Sequence, residues 1–120
     1  MPYLTTGLLD NALGGDEQSS TLSVNILNGD ISTVAIQIEG FFQSGPTKVK
    51  YVEEFFTLTA GTVVLKNYFV PFKAFEFVFF VSSQAVEISV WSKDVTGKLT
   101  STHLVMVEAS AEQEVAEGQI

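Results

Sequence analysis

The sequence predicts an all-β domain, an antiparallel two-sheet sandwich of the jelly-roll or immunoglobulin-like kind with about 7–8 strands and an extended N-terminal arm. Three observations lead there. Apolar and polar residues alternate with a period of two in run after run from Thr21 to Val107, the pattern of strands whose successive side chains point to opposite faces. Turn-forming residues separate those runs at short intervals, and no helical window falls between them. Apolar residues make up 46 % of the 120-residue chain and include ten Phe, enough to build one core but too little to be divided between two domains.

The elements follow in order. Leu22, Val24 and Ile26 face one way, and Thr21, Ser23 and Asn25 the other. Asn28-Gly29-Asp30 is a turn signal, after which Val34, Ile36 and Ile38 point inward and Ala35, Gln37 and Glu39 outward, completing a hairpin. Phe41-Phe42 ends that strand, and Gln43-Ser44-Gly45-Pro46 is a loop. Lys48 to Leu58 and Val63 to Val70 make the next two strands around an Ala60-Gly61 turn, and Pro71 ends ladder pairing. Phe75, Phe77, Phe79 and Val81 form one face of a fifth strand, with Ala74, Glu76, Val78 and Phe80 opposite. Apolar residues on both faces mark a strand covered on both sides. Val86, Ile88 and Val90, with Glu87, Ser89 and Trp91 opposite, form the sixth strand. Lys93 to Lys98 is a hairpin loop, and Leu99 to Val107 is the last strand.

Residues 21–108 therefore form the sandwich. Residues 1–20 read as an arm or connector without periodic structure, hinged at Gly14 and Gly15, with Tyr3, Leu4, Leu8 and Leu9 as the side chains that dock it. Residues 109–120 read as an acidic tail.

Charge narrows the partners. All six positive charges are Lys, the formal net charge is −8, and both ends of the chain carry acids without bases. Phosphate backbones are bound by clustered Lys and Arg, so nucleic acid is excluded as a partner. The longest apolar run, Phe77 to Val81, is too short to span a membrane. The start, MPYLTTGLLDNALGG, lacks the basic and continuous apolar regions of a secretory signal. Export to the cell exterior or a spore surface then needs another route, and otherwise the chain is cytoplasmic.

No catalytic, metal or cofactor set emerges. His103 is the sole histidine, so one chain cannot supply two His ligands; it reads as a solvent-facing strand residue. There is no Gly-x-Ser-x-Gly elbow to present a serine nucleophile. Glu53 and Glu54 are neighbours on a strand and face apart, and only a cross-strand set such as Glu39, Glu76 and Glu87 could pair carboxylates. Asp30 and Asp94 lie in turns without calcium-loop spacing. Trp91, Phe80, Phe41 and Phe42 are the candidate interface or ligand-stacking residues, and surplus apolar area extends to Phe55 and Phe56.

The stretches TLSVNILNGDISTVAIQIEGFF, FTLTAGTVVLKNYFV and FEFVFFVSSQAVEISVWSKDVTGKL resemble a group of small β proteins of spore-forming bacteria. The layout of polar arm, Gly spacer and compact sandwich is similar to that of endospore appendage subunits, whose jelly-roll domains stack into fibres through N-terminal connectors. Some of those connectors carry cross-linking cysteines, and this chain has none. The resemblance implies a non-enzymatic subunit that self-assembles into a filament through its arm and sheet edges. The alternative is a carbohydrate- or surface-binding module that stacks a surface glycan on Trp91, Tyr51 and Tyr68.

Overall fold

The structure is a computed structural model and describes residues 3–11 and 19–107. Ten strands run in the order β1 (Tyr3–Thr5), β2 (Leu9–Asp10), β3 (Thr21–Asn28), β4 (Val34–Ser44), β5 (Thr47–Leu58), β6 (Val63–Phe69), β7 (Ala74–Val81), β8 (Val86–Lys93), β9 (Leu99–His103) and β10 (Met106–Val107). Every pairing is antiparallel. A larger sheet has the order β10-β1-β7-β4-β5, with β2 also on β7, and a smaller one the order β6-β3-β8-β9. The chain is thus an all-β two-sheet sandwich. No helix among the described residues is long and apolar enough to cross a membrane.

The alternating runs become strands with the expected inward faces. Leu22, Val24 and Ile26 of β3 meet Ile36 and Ile38 of β4 and Phe75, Phe77 and Phe79 of β7, all buried between the sheets. Burial of this kind contributes about 1.5–3 kcal/mol per large side chain. The β4–β5 hairpin is tighter than the Gln43–Pro46 loop expected from sequence, because Gly45 adopts φ +57°, a left-handed turn conformation that costs glycine little. Asn28 closes the β3–β4 turn. Its buried side chain donates to the carbonyls of Ser32 and Leu58 and accepts from the Asp30 amide.

Two features go beyond what periodicity shows. Within the arm, which has no sequence period, Tyr3–Thr5 and Leu9–Asp10 form short strands that both pair with β7. The cause lies in β7, whose backbone edge and outward Val78 and Phe80 require cover. Tyr3 sits opposite Phe80 with ring centroids 4.6 Å apart, and Val78 is only 1 % exposed. The run from Leu99 to Val107, expected as one strand, breaks at Leu104 and Val105. β9 stays beside β8 while β10 crosses to pair with β1 in the other sheet, and Val105 packs on the core at the crossing.

Gly40 marks where the chain is most closely packed. A Cβ there would lie 2.6 Å from the Phe77 ring and 3.0 Å from the Val52 Cβ. The β4–β5 register also shifts between Gly40 and Phe41. Gly40→Ala is therefore expected to lower stability by about 1–3 kcal/mol, measured by urea unfolding monitored through Trp91 fluorescence. Unchanged stability would mean that Phe77 can move aside.

Candidate functional site

Because the sheets are stacked, the sandwich has two lateral flanks, and each is built differently. One flank is the seam between edge strands β5 and β6. Glu54 points inward from β5 and accepts from the Tyr68 hydroxyl at 2.5 Å and from Lys66 Nζ at 3.2 Å. The Tyr68 hydrogen bond, with Lys66 beside it, holds the Glu54 carboxyl below its usual range, while burial and that carboxylate raise the Tyr68 phenol. Lys66 also lies over the Phe56 ring, and the Tyr51 hydroxyl donates to the Phe69 carbonyl. The seam is closed by polar contacts, and apolar side chains border it on the outside. Phe55, on the outer face of the larger sheet, is 67 % exposed, and Phe69, on the outer face of the smaller sheet with the exposed Val63 and Leu65 along the same strand, is 68 % exposed.

The other flank lies where β2 and β7 approach β8 and β9. It holds a pocket of about 160 Å³. Leu9 and Phe75 supply its apolar wall, Asp10, Asn11 and Ser19 its rim, and Ser92, Thr100, Ser101 and His103 its polar wall. The alternation of β8 sends Ser92 inward while Trp91 points out, and the pairings of Ser92 with Ser101 and of Val90 with His103 place those two side chains on the same inner side. Ser92 Oγ and His103 Nε2 share a hydrogen bond of 2.5 Å, with Ser101 Oγ at 3.4 Å. Ser19 Oγ and Thr100 Oγ1 are 2.7 Å apart. Asn11 ties the rim together: its side chain donates to the carbonyls of Ser19 and Phe72 and accepts from the Ser19 amide.

His103 is therefore half-buried and hydrogen-bonded rather than the solvent-facing residue expected from its strand position, and burial depresses its pKa. The Ser92–His103 pair has a nucleophile–base spacing. Ser92 is 0 % exposed, however, so a substrate cannot reach its hydroxyl; the arrangement is suited to hydrogen bonding rather than to attack.

The other candidate residues are dispersed. Tyr3 and Leu4 are half-buried on the chain's own sheet, Leu9 packs on the core, and Leu8 is exposed. Gly14, Gly15 and the tail of 109–120 lie outside the described residues. Phe42 is half-buried and stacks on Phe72 at 4.5 Å with Tyr51 edge-on, at the end of the sandwich. Phe80 lies under Tyr3, and Phe41 lies on the outer face beneath Lys48 and Lys50. Trp91 is half-buried on the outer face of the smaller sheet, opposite Ser23 and Thr102.

The carboxylates remain apart as well. Glu76 accepts from Thr5 Oγ1 and Lys48 Nζ, and Glu39 from Lys50 and Gln37, on the outer face of the larger sheet. Glu87 faces outward from the smaller sheet, on the opposite side of the molecule. Glu53 pairs with Lys50 while Glu54 faces the seam. Asp30 and Asp94 each accept from nearby backbone amides in their turns. Among the described residues no cluster of three or more His, Asp or Glu could hold a metal ion.

Two features were missed by sequence reasoning. The exposed face of β6 was visible in principle, because Val63-Val64-Leu65 is apolar on both sides of an edge strand. The pocket was not, since its residues are separated by up to 94 positions and its serines carry no motif.

No protein-family model and no curated protein matches the sequence. Among solved structures the chain is similar to Thermotoga maritima 1070, known from a crystal structure, with a TM-score of 0.56 at 15 % identity over 88 % of this chain and 89 % of that one. At that identity the likeness concerns the fold.

The environment of His103 sets a pH dependence. Its folded pKa lies below the unfolded value of 6.5 because burial disfavours the imidazolium. As pH falls through that value the unfolded chain takes up the proton first, so stability present above it declines on acidification and levels off below the folded pKa. Thermal melts from neutral to mildly acidic pH are expected to show this decline in the wild type and to lose it in His103→Gln. An identical decline in both would assign it elsewhere.

Proposed function

We propose that the protein is a non-enzymatic structural subunit that self-assembles through the β5/β6 flank and extends into a filament by exchange of its N-terminal arm. The observation that carries this reading is the flank itself. Among the described residues, β5 and β6 each leave one strand edge unpaired on the same side of the sandwich, bordered by the exposed Phe55, Val63, Leu65 and Phe69. The occupant that fits is a second copy. Along the outer face of β5 Lys48 and Lys50 come first and Glu53 follows, so two antiparallel copies of the strand bring the lysines of one towards Glu53 of the other. Such a two-fold contact closes on itself and yields a dimer, and growth beyond it needs another link. The arm can provide one, since β1 and β2 make the same contacts whether the β7 they join is their own or a neighbour's. The similarity to endospore appendage subunits supports a place on a spore or cell surface.

Light scattering and negative-stain imaging test this. The wild type is expected to form particles larger than a monomer, and Phe55→Lys/Phe69→Lys to lose the flank contact and form smaller particles with an unchanged fold. Because the chain has no cysteine, Tyr3→Cys/Phe80→Cys can lock the arm onto its own sheet across a directly opposed pair. Locked protein is expected to stop at the dimer. A wild type that remains monomeric at every concentration overturns the reading.

One observation favours a second reading, a surface-binding module. Trp91 lies on an outer face rather than in the core, so part of its indole is open for a sugar ring to stack on. Glycan-array binding that disappears in Trp91→Ala while the melting temperature is kept would support it, and an empty array would dismiss it.

A further inference from the structure

The pocket on the opposite flank belongs to neither reading. The geometry points to a binding site for a small neutral polyhydroxylated molecule, an open-chain polyol or a single sugar ring, seated between the arm and β9, whose occupancy fastens the arm to its own sheet.

The chemical class follows from the wall. Thr100 and Ser101 are exposed on one side, Ser19 and His103 stand beside them, and these groups are already in hydrogen-bond contact as the pairs Ser19–Thr100 and His103–Ser92. Each hydroxyl both donates and accepts and can turn its proton to suit a ligand, so the set matches a molecule rich in hydroxyls rather than one of fixed polarity. Leu9 and Phe75 offer an apolar backing for the carbon skeleton.

Charge removes the main competitor. No Lys is among the described residues lining the pocket, and Asp10 stands at the rim, so an anion finds no counter-charge there. Lys73 lies beyond Asp10, in an adjoining shallow depression. Burial favours the neutral imidazole of His103, which is consistent with an uncharged guest.

Size restricts the guest further. The volume is about 160 Å³, below the roughly 300–1,000 Å³ of sites for drug-sized ligands, which suits a single ring or a short polyol.

The coupling follows from which segments build the site. Leu9, Asp10 and Asn11 belong to the arm, whereas Thr100, Ser101 and His103 belong to β9. The pocket therefore exists only while the arm is docked, and a ligand that binds the docked form alone stabilises it by linkage. Where arm exchange builds a filament, the same ligand opposes it.

The experiment titrates myo-inositol, methyl glucoside, acetate and inorganic phosphate separately into the ¹⁵N-labelled full chain. The neutral pair is expected to give saturable amide shifts at Asn11, Ser19 and residues 100–103, weakened at least about tenfold in Ser101→Ala and Thr100→Val, two exposed positions whose substitution should leave the fold intact. Trp91→Ala should leave the shifts unchanged. At ten times Kd, hydrogen exchange of the Thr6 amide, which bonds the Phe77 carbonyl, and of the Asn11 amide, which bonds the Lys73 carbonyl, should slow about tenfold. The absence of saturable shifts, shifts centred on Trp91, or shifts from phosphate or acetate alone would overturn the site. Saturable pocket shifts with unaltered exchange would overturn the coupling. With the titration run on the Phe55→Lys/Phe69→Lys variant, whose pocket is intact, neither the shifts nor the exchange rates require self-association, so failure here leaves the assembly reading standing, and the reverse holds.

Discussion

Strand β7 has to be buried on both faces, and the rest of the structure is arranged to meet that requirement. Its inward Phe75, Phe77 and Phe79 are covered by β3 and β8 of the other sheet, with Gly40 giving the Phe77 ring the room a side chain would take. Its outward side is covered from two directions. Phe41, with Lys48 above it, lies beside Glu76, and the arm brings Tyr3 onto Phe80 and Thr5 onto Glu76. Burying the Glu76 carboxylate is tolerable because it keeps two hydrogen bonds there, one from a cation. The arm is thus part of the sheet, and its sequence is short, apolar and β-favouring because β7 selects for that.

The two flanks solve the problem of an open sandwich edge in different ways. At β5 and β6 the Glu54, Tyr68 and Lys66 cluster draws the sheets together and pushes apolar side chains to the rim. At the far side the chain crosses between sheets at Leu104 and Val105, and the space left by the crossing is lined with hydroxyl groups and one imidazole. The first arrangement presents a surface and the second a recess. That division keeps the exposed apolar rim and the hydroxyl-lined pocket on different residues in a domain of this size.

Most of the sandwich was legible because strand alternation is a local signal. Leu22, Val24 and Ile26 need only their immediate neighbours to declare a face, and the doubly apolar pattern of β7 announced burial on both sides. What escaped was non-local. Tyr3-Leu4-Thr5 is too short to show a period, and only the unmet edge of β7, 71 or more positions away, makes it a strand. The break at Leu104 is invisible for the same reason, since Leu99 to Val107 alternates acceptably and the crossing is set by where β1 lies. The pocket residues are ordinary serines and threonines until β8, β9 and the arm meet. The contact of Phe42 with Tyr51 was equally hidden, because it depends on the irregular register after Gly40.

The position of β1 between β7 and β10 has a kinetic side. Leu4 is the register partner of Val107. During synthesis the arm leaves the ribosome long before either of its neighbours, and at roughly 5–20 residues per second it waits about 4–15 s for β7 and about 5–20 s for β10. Sheet closure at this point is also the pairing of highest sequence separation, which is entropically the last to form. A nascent chain with a free β-favouring arm and an unfilled slot on a neighbouring nascent chain is well placed to be completed by the wrong molecule. On crowded polysomes, the same strand that finishes the monomer is the one most exposed to being shared.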